Sequence, residues 1–235
     1  MTYWDTRLAV FDLETTGVDT DTSRIVSACI AVLEPDGTLH EQWNWLADPG
    51  VEIPEGASAV HGISTELARA EGRTAETVAG EITATLRTLL AVGIPLVVYN
   101  APYDLSLLDR ECRRHKVEPL GTPSPVIDPL VIDKAVDRYR KGKRTLEAVC
   151  GEYGVAHERA HEAGADALAA VRVACALAER HRELAGLELW DLHHKQVGWY
   201  AHWAADFQSW LRRKGTPDAV VDGSWPLREA RAAVG

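Results

Sequence analysis

The chain reads as an α/β protein, with a mixed five-stranded sheet flanked by helices and a C-terminal helical extension. Three observations predict this. Three strand-like runs come first, at 8–13, 25–33 and 39–46, separated by turn residues. Short apolar runs then alternate with helical periodicity, the pattern of parallel strands joined by helices. After residue 189 the composition changes, and five of the eight tryptophans fall there.

Leu8 to Leu13 is a mostly apolar strand with an acidic residue near its end, and Ile25 to Leu33 is rich in β-branched and small apolar residues. Pro35-Asp36-Gly37 supplies a turn, so Leu39 to Leu46 returns as the second arm of a hairpin. Beyond a Pro/Gly-rich stretch at 49–57, a short helix is predicted near Thr65–Ala70 and a long one from Thr74 to Ala91. Pro95 stops the helical signal, and Leu96-Val-Val-Tyr99 is a short buried strand. Leu105, Leu108 and Cys112 give Pro102–His115 helical spacing, and Val126-Ile127 is a strand running into Asp128-Pro129. Thr145 caps a helix through Tyr153, and Ala163 to Arg182 is an alanine-rich helix. In the tail, Leu192, Gln196, Trp199, Trp203, Phe207 and Trp210 make one stripe of a helix starting near Asp191. The stripe is expected to pack on the main domain, with a partner surface as the alternative reading, giving a domain at 1–188 and an extension at 189–235. Gln196-Val-Gly-Trp-Tyr200 faintly resembles a sliding-clamp peptide, but it lies mid-helix.

With 235 residues the chain can bury one sizeable core. No apolar stretch approaches the roughly 20 residues of a membrane span, and no signal peptide is visible, so a cytoplasmic enzyme is expected. The four cysteines, at 29, 112, 150 and 175, form no Cys-x-x-Cys pair and are expected to be reduced and mostly buried. A net charge of −10 argues against binding nucleic acid by bulk electrostatics. Local grip is still open to it: Arg138-Tyr-Arg-Lys-Gly-Lys-Arg144 packs five positive charges into seven residues. That segment is either a solvated loop or a phosphate-tracking patch, with Tyr139 available to stack on a base.

Asp12 and Glu14 are two apart on the first strand, so their side chains share a face. Two carboxylates at the end of a buried strand repel each other, and a divalent cation compensates them well. Asp104 follows the strand 96–99 in Asn100-Ala-Pro-Tyr-Asp104, inside the first turn of the next helix. His161-Glu-Ala-Gly-Ala-Asp166 leads into the alanine-rich helix. His157 and His161 have the spacing of a helical zinc pair, but no third nitrogen or sulfur ligand accompanies them.

In this order the pieces resemble the motifs of the DEDD 3′→5′ exonucleases in their histidine branch, the DnaQ-like family of the polymerase epsilon subunit and ribonuclease T. Phe-Asp12-Leu-Glu14-Thr-Thr-Gly is similar to the first motif and Val-Tyr-Asn100-Ala-Pro-Tyr-Asp104 to the second. His161-x-x-x-x-Asp166 is similar to the third, and Val60-His61-Gly62-Ile63 and Val126-Ile127-Asp128 match landmarks between them. The chain departs from the family at Tyr99, where histidine is common, at Tyr103, where phenylalanine is usual, and at Pro129, where threonine is frequent.

The resemblance implies a ribonuclease H-like sheet and catalytic residues Asp12, Glu14, Asp104, His161 and Asp166. The four carboxylates would hold two divalent ions, Mg²⁺ or Mn²⁺, with Asp12 bridging them and Asp104 acting on the second ion, in part through water. His161 would be the general base, so activity should climb from acid toward mildly alkaline pH. Thr15, His61 and Asn100 would contact the 3′-terminal nucleotide, and Arg140, Lys141, Lys143 and Arg144 the phosphates upstream. The implied partners are single-stranded or frayed 3′ ends of DNA or RNA, with DNA favoured. Two rivals stay open: a proofreading subunit bound to a DNA polymerase, and a non-catalytic nucleic-acid-binding module.

Overall fold

The computed structural model describes residues 6–157 and 163–229. β1 (Leu8–Thr15), β2 (Ile25–Leu33) and β3 (Leu39–Asp48) form an antiparallel meander. They are followed by α1 (Glu55–His61), α2 (Thr65–Glu71), β4 (Arg73–Thr74), α3 (Ala75–Ala91), β5 (Leu96–Val97), α4 (Ala101–Arg114), β6 (Val126–Ile127) and α5 (Pro129–Val136). Then come α6 (Leu146–Tyr153), α7 (Ala163–Arg180), α8 (Arg182–Ala185) and α9 (Leu189–Arg213), followed by an irregular segment that carries Trp225. The sheet order is β4-β3-β2-β1-β5-β6, with β5 parallel to both β1 and β6. The expected mixed sheet is present, with the five expected strands and one more.

The additional strand is β4, two residues paired with Ala47 and Asp48 at the end of β3. Two residues carry no periodicity, so it has no sequence signal. Gly72 makes it sterically feasible: a Cβ there would sit 2.2 Å from the Ala68 carbonyl oxygen and 2.5 Å from the Asp48 nitrogen. α1 was equally invisible, because none of its residues is buried and no apolar stripe marks it. The alanine-rich helix stops at Arg180, where His181 turns extended before α8. Thr145 caps α6 as expected, accepting from the Ala148 N–H. Asp191 does not cap α9: that helix begins earlier, after Glu188, with no side-chain cap.

The sheet separates two apolar layers. Ala9, Phe11 and Leu13 of β1 face α3 and α4, together with Tyr200 and Trp225. Leu8 and Val10 face the opposite way, against α6, α7 and Leu192. The alternation that buries Leu8 and Val10 beneath α7 also turns Asp12 and Glu14 toward α7. Cys29, Cys112 and Cys150 are buried and all four cysteines are unbridged, as expected.

α9 closes the outer edge of the sheet. His193 Nδ1 accepts from the Val126 N–H (3.0 Å), and Gln196 Oε1 accepts from the Asp128 N–H (2.6 Å) while its Nε2 donates to the Val126 carbonyl (2.9 Å). Two side chains thus pair the backbone groups that an edge strand leaves open. Gln196 is fully buried by this work, so the segment Gln196–Tyr200 is not a displayed clamp-type peptide. The expected stripe divides along its length: Leu192 and Gln196 are buried, Trp199 and Trp203 half-buried, and Phe207 and Trp210 exposed.

Candidate active site

β1 delivers Asp12 and Glu14 to one face at its C-terminal end, and the first turn of α7 delivers Asp166 to the same place. Carboxylate oxygens of these three residues lie within 4.8 Å of one another. Asp104 arrives from the first turn of α4 and is almost completely buried. β5 ends at Val97, so the Leu13 N–H, further along β1, finds its acceptor in Asp104 Oδ1 at 3.1 Å. The fourth carboxylate is therefore bonded to the backbone between the first two.

The electrostatic consequence is strong. Burial first, and then Asp104, Asp166 and Glu14, push the Asp12 carboxyl well above the usual carboxylate range. Burial and Asp166 raise Glu14 to about 7. Asp104 is raised well above its ordinary value by burial, against which its own backbone and the Leu13 N–H act. Among the described residues no lysine or arginine forms an ion pair with Asp12, Glu14 or Asp104. Oxygen donors crowded in this way, with no lysine or arginine on Asp12, Glu14 or Asp104, are the donor set that a hard divalent ion takes, and these residues fit such an ion.

The third motif is only partly in view. His161 lies outside the described residues. His157, which the sequence offers only as half of a zinc pair, places Nε2 2.5 Å from Asp166 Oδ1. Its spacing of nine residues before Asp166 carries no recognisable signal.

The expected end-binding residues take up distinct positions. Thr15 Oγ1 donates to the Gly17 carbonyl (2.8 Å) and lies 2.5 Å from the Tyr103 hydroxyl, which also reaches Gly17 (2.5 Å). The departure from phenylalanine at 103 thus adds a hydroxyl that ties α4 to the loop after β1. His61 Nδ1 accepts from the Ile63 N–H (3.2 Å), and burial lowers its pKa against the opposing effect of the Thr15 backbone. Asn100 adopts a left-handed conformation (φ 63°), which asparagine tolerates better than most residues. Its N–H and that of Ala101 donate to the buried Asp128 carboxylate at 3.0 and 2.8 Å. Asp128 also caps α5 and accepts from Trp225 Nε1 (3.3 Å). It therefore holds the turn that presents Asn100, a positioning role not assigned to it from sequence.

The basic loop is not a uniformly solvated patch. Arg140 and Arg144 turn inward and both reach the fully buried Asp133, at 2.6 Å each. A buried carboxylate needs such partners. Lys141 and Lys143 remain exposed, so the structure separates two lysines free to meet phosphate from two arginines committed to the fold.

The exonuclease family (RNase_T) matches residues 9–174, well over half of the chain and spanning β1 through most of α7. The chain belongs to this exonuclease family.

This exonuclease domain is similar to parts of longer proteins. A PolC-type DNA polymerase III of Lacticaseibacillus paracasei is 25% identical over 189 residues, covering 80% of this chain and 12% of that protein. A DNA polymerase III subunit epsilon-like protein of Rhodobacter capsulatus is 30% identical over 164 residues, covering 68% and 22%. The chain thus spans less than a quarter of the length of these relatives. Among solved structures, E. coli exonuclease I in complex with a dA16 oligonucleotide superimposes with a TM-score of 0.67 at 20% identity, covering 76% of this chain and 42% of that one. Exonuclease I from Methylocaldum szegediense gives 0.63 at 21% identity. These likenesses establish that the fold is the one these exonucleases share.

Proposed function

We propose that this protein is a metal-dependent 3′→5′ exonuclease that releases nucleoside 5′-monophosphates from single-stranded or frayed 3′ ends, with DNA favoured over RNA. The observation that carries the reading is the convergence of Asp12, Glu14 and Asp166 within 4.8 Å, with Asp104 bonded to Leu13 between the first two. Asp12, Glu14, Asp104 and Asp166 would hold two divalent ions, Mg²⁺ or Mn²⁺, in the cytoplasm. When bound, such ions stabilise negative charge on the attacking and leaving oxygens of a phosphodiester. His161 is assigned the proton of the attacking water by its position in the third motif. Thr15, held by Tyr103, and His61 would frame the terminal sugar, and Asn100 would approach from the turn that Asp128 clamps. Lys141 and Lys143 would meet phosphates upstream, with Arg140 and Arg144 acting there only through the shape of the loop.

Support for a single-stranded DNA substrate comes from the oligonucleotide complex of the structurally similar E. coli exonuclease I. A second reading, service to a DNA polymerase, is favoured by the two polymerase III relatives, and co-purification with a replicative polymerase tests it. The first reading is tested with 5′-labelled single-stranded DNA, duplex DNA and short RNA, with Mg²⁺ or Mn²⁺ and with EDTA. A ladder shortening from the 3′ end, abolished by EDTA and by Asp12→Ala, is expected. Full activity of Asp12→Ala would overturn the assignment.

A further inference from the structure

The C-terminal half of α9 leaves the sheet edge and carries an unusual surface. Trp203, Phe207 and Trp210 form a ladder, with ring centroids 5.5 and 5.7 Å apart and planes inclined by only 10° and 13°. Over seven residues of helix the ladder is ~10 Å long. It opens toward the helix end, Phe207 being 38% and Trp210 46% exposed. Trp203 also packs on the core layer beneath α3 and α4, so the displayed part of the ladder is Phe207 and Trp210.

Beside the ladder, α5, the 138–144 loop and α9 enclose a cavity of about 350 Å³. The anions in and around it are already matched. Asp206 is bonded by Arg138 and approached by His202, while Asp133 is shared by Arg140 and Arg144. Lys134 is the cation left over. Its Nζ stands 3.6 Å from the centre of the Trp203 ring, and it forms no ion pair among the described residues. Burial lowers its pKa to about 8, which leaves it charged at neutral pH. Tyr139, 86% exposed, and the exposed Lys141 and Lys143 extend the same cationic and aromatic character along the loop. The cleft on the other side of Trp203, which Phe207 also lines, carries more acid than base: Asp19, Asp21, Asp222 and Glu229 stand there against Arg110 and Arg228. Charge therefore directs an anionic polymer to the Lys134 side.

We propose that this face is a track for single-stranded nucleic acid, with Lys134, Lys141 and Lys143 facing backbone phosphates and the open rings of Phe207 and Trp210 giving bases an aromatic surface. Such sites combine a cationic groove with aromatic platforms and tolerate any sequence. The placement suits a strand whose 3′ end is being cut. β1, β5 and β6 run parallel, so their C-terminal ends, with Thr15, Asn100 and Asp128 close by, share one edge of the sheet. β6 lies two strand spacings from β1, ~10 Å, and α5 leads directly from β6 to Lys134. The proposal rests on the exonuclease reading, because it assigns that enzyme's own substrate to the surface.

The test is anisotropy of a labelled 20-nucleotide oligothymidylate with the full chain, in EDTA so that nothing is cut, across a range of salt. Removing the exposed rings in a Phe207→Ala/Trp210→Ala variant should weaken binding about tenfold or more. Lys134→Gln should weaken it and reduce the salt slope by about 0.7. Thermal melting checks that each variant folds, and the exposed pair keeps the test valid if Lys134→Gln does not. Hydrolysis of a trinucleotide should be unchanged in the exposed pair. Wild-type protein that does not bind the oligonucleotide, or a folded exposed-pair variant that binds it equally well, overturns the track. So does a variant that changes only self-association. Binding lost in the variants while wild-type protein cuts nothing with Mg²⁺ or Mn²⁺ supports the track and defeats the exonuclease reading alone.

Discussion

Asp104 accepts a hydrogen bond from the backbone N–H of Leu13 at 3.1 Å, across 91 residues of sequence. Leu13 stands between Asp12 and Glu14, so a helix carboxylate is locked to the strand that carries two others. An apolar residue in the first acidic motif thereby supplies the anchor for the second.

Asp104→Asn separates charge from geometry. Its side-chain oxygen can still accept from Leu13, but the negative charge is gone. Hydrolysis should fall at least about 100-fold if Asp104 serves the metal site, while the metal-free protein should melt higher than wild type because one repulsion has been removed. Initial rates and melting curves check the two together; a lower melting temperature with full activity would contradict both.

The carboxylate cluster also sets how stability changes with pH. Folding raises the pKa of Asp12 and Asp104 well above the ordinary range, and that of Glu14 to about 7. Between the unfolded values near 4 and the folded values, the native state binds more protons than the unfolded state, so stability falls as pH rises. Without metal the melting temperature should therefore drop from about pH 5 to pH 7 and beyond. Mg²⁺ or Mn²⁺ should restore it more at pH 8 than at pH 5, by about 2–4 °C for each kcal/mol recovered. Metal-induced shifts that are the same at both values would argue against these residues as the ligands.

Tyr103→Phe removes the hydroxyl shared with Thr15 and Gly17 without altering the ring. A hydrogen bond of about 0.5–1.5 kcal/mol predicts a fall of about 2- to 10-fold in kcat/KM. The loss should appear mainly in KM, because Thr15 is expected to bind the 3′ end rather than the reacting oxygens. Steady-state kinetics on a single-stranded oligonucleotide decides this, and unchanged kinetics would mean that the bridge is only structural.

The two halves of the basic loop should respond differently. Arg144→Ala leaves buried Asp133 with one guanidinium instead of two and should cost about 3 kcal/mol of stability. Lys141→Ala/Lys143→Ala should leave the melting temperature nearly unchanged and lower the salt dependence of single-strand binding by about 1.4 in slope. Chemical denaturation and salt titration read the two effects separately.

The α/β class, the first three strands and the helices α3 and α4 were legible because each is long enough to show its period. Alternation along β1 was sufficient to place Asp12 and Glu14 on one face. β4 and α1 escaped, one being too short for a period and the other burying nothing. Composition showed a basic loop but not its direction, because Asp133, which draws Arg140 and Arg144 inward, reads in sequence as an ordinary helix residue.

By itself, then, the sequence determined which chemical groups are present, their order, and which of them share a strand face, since these follow from local geometry. Tertiary structure decided what each group meets. It brought Asp104 onto Leu13 and Asp166 toward Asp12, and it set Gln196 on the edge of β6. It also divided one stripe of α9 into a buried start, Leu192 and Gln196, and an exposed end, Phe207 and Trp210, because only the end of the sheet settles where burial on α9 stops.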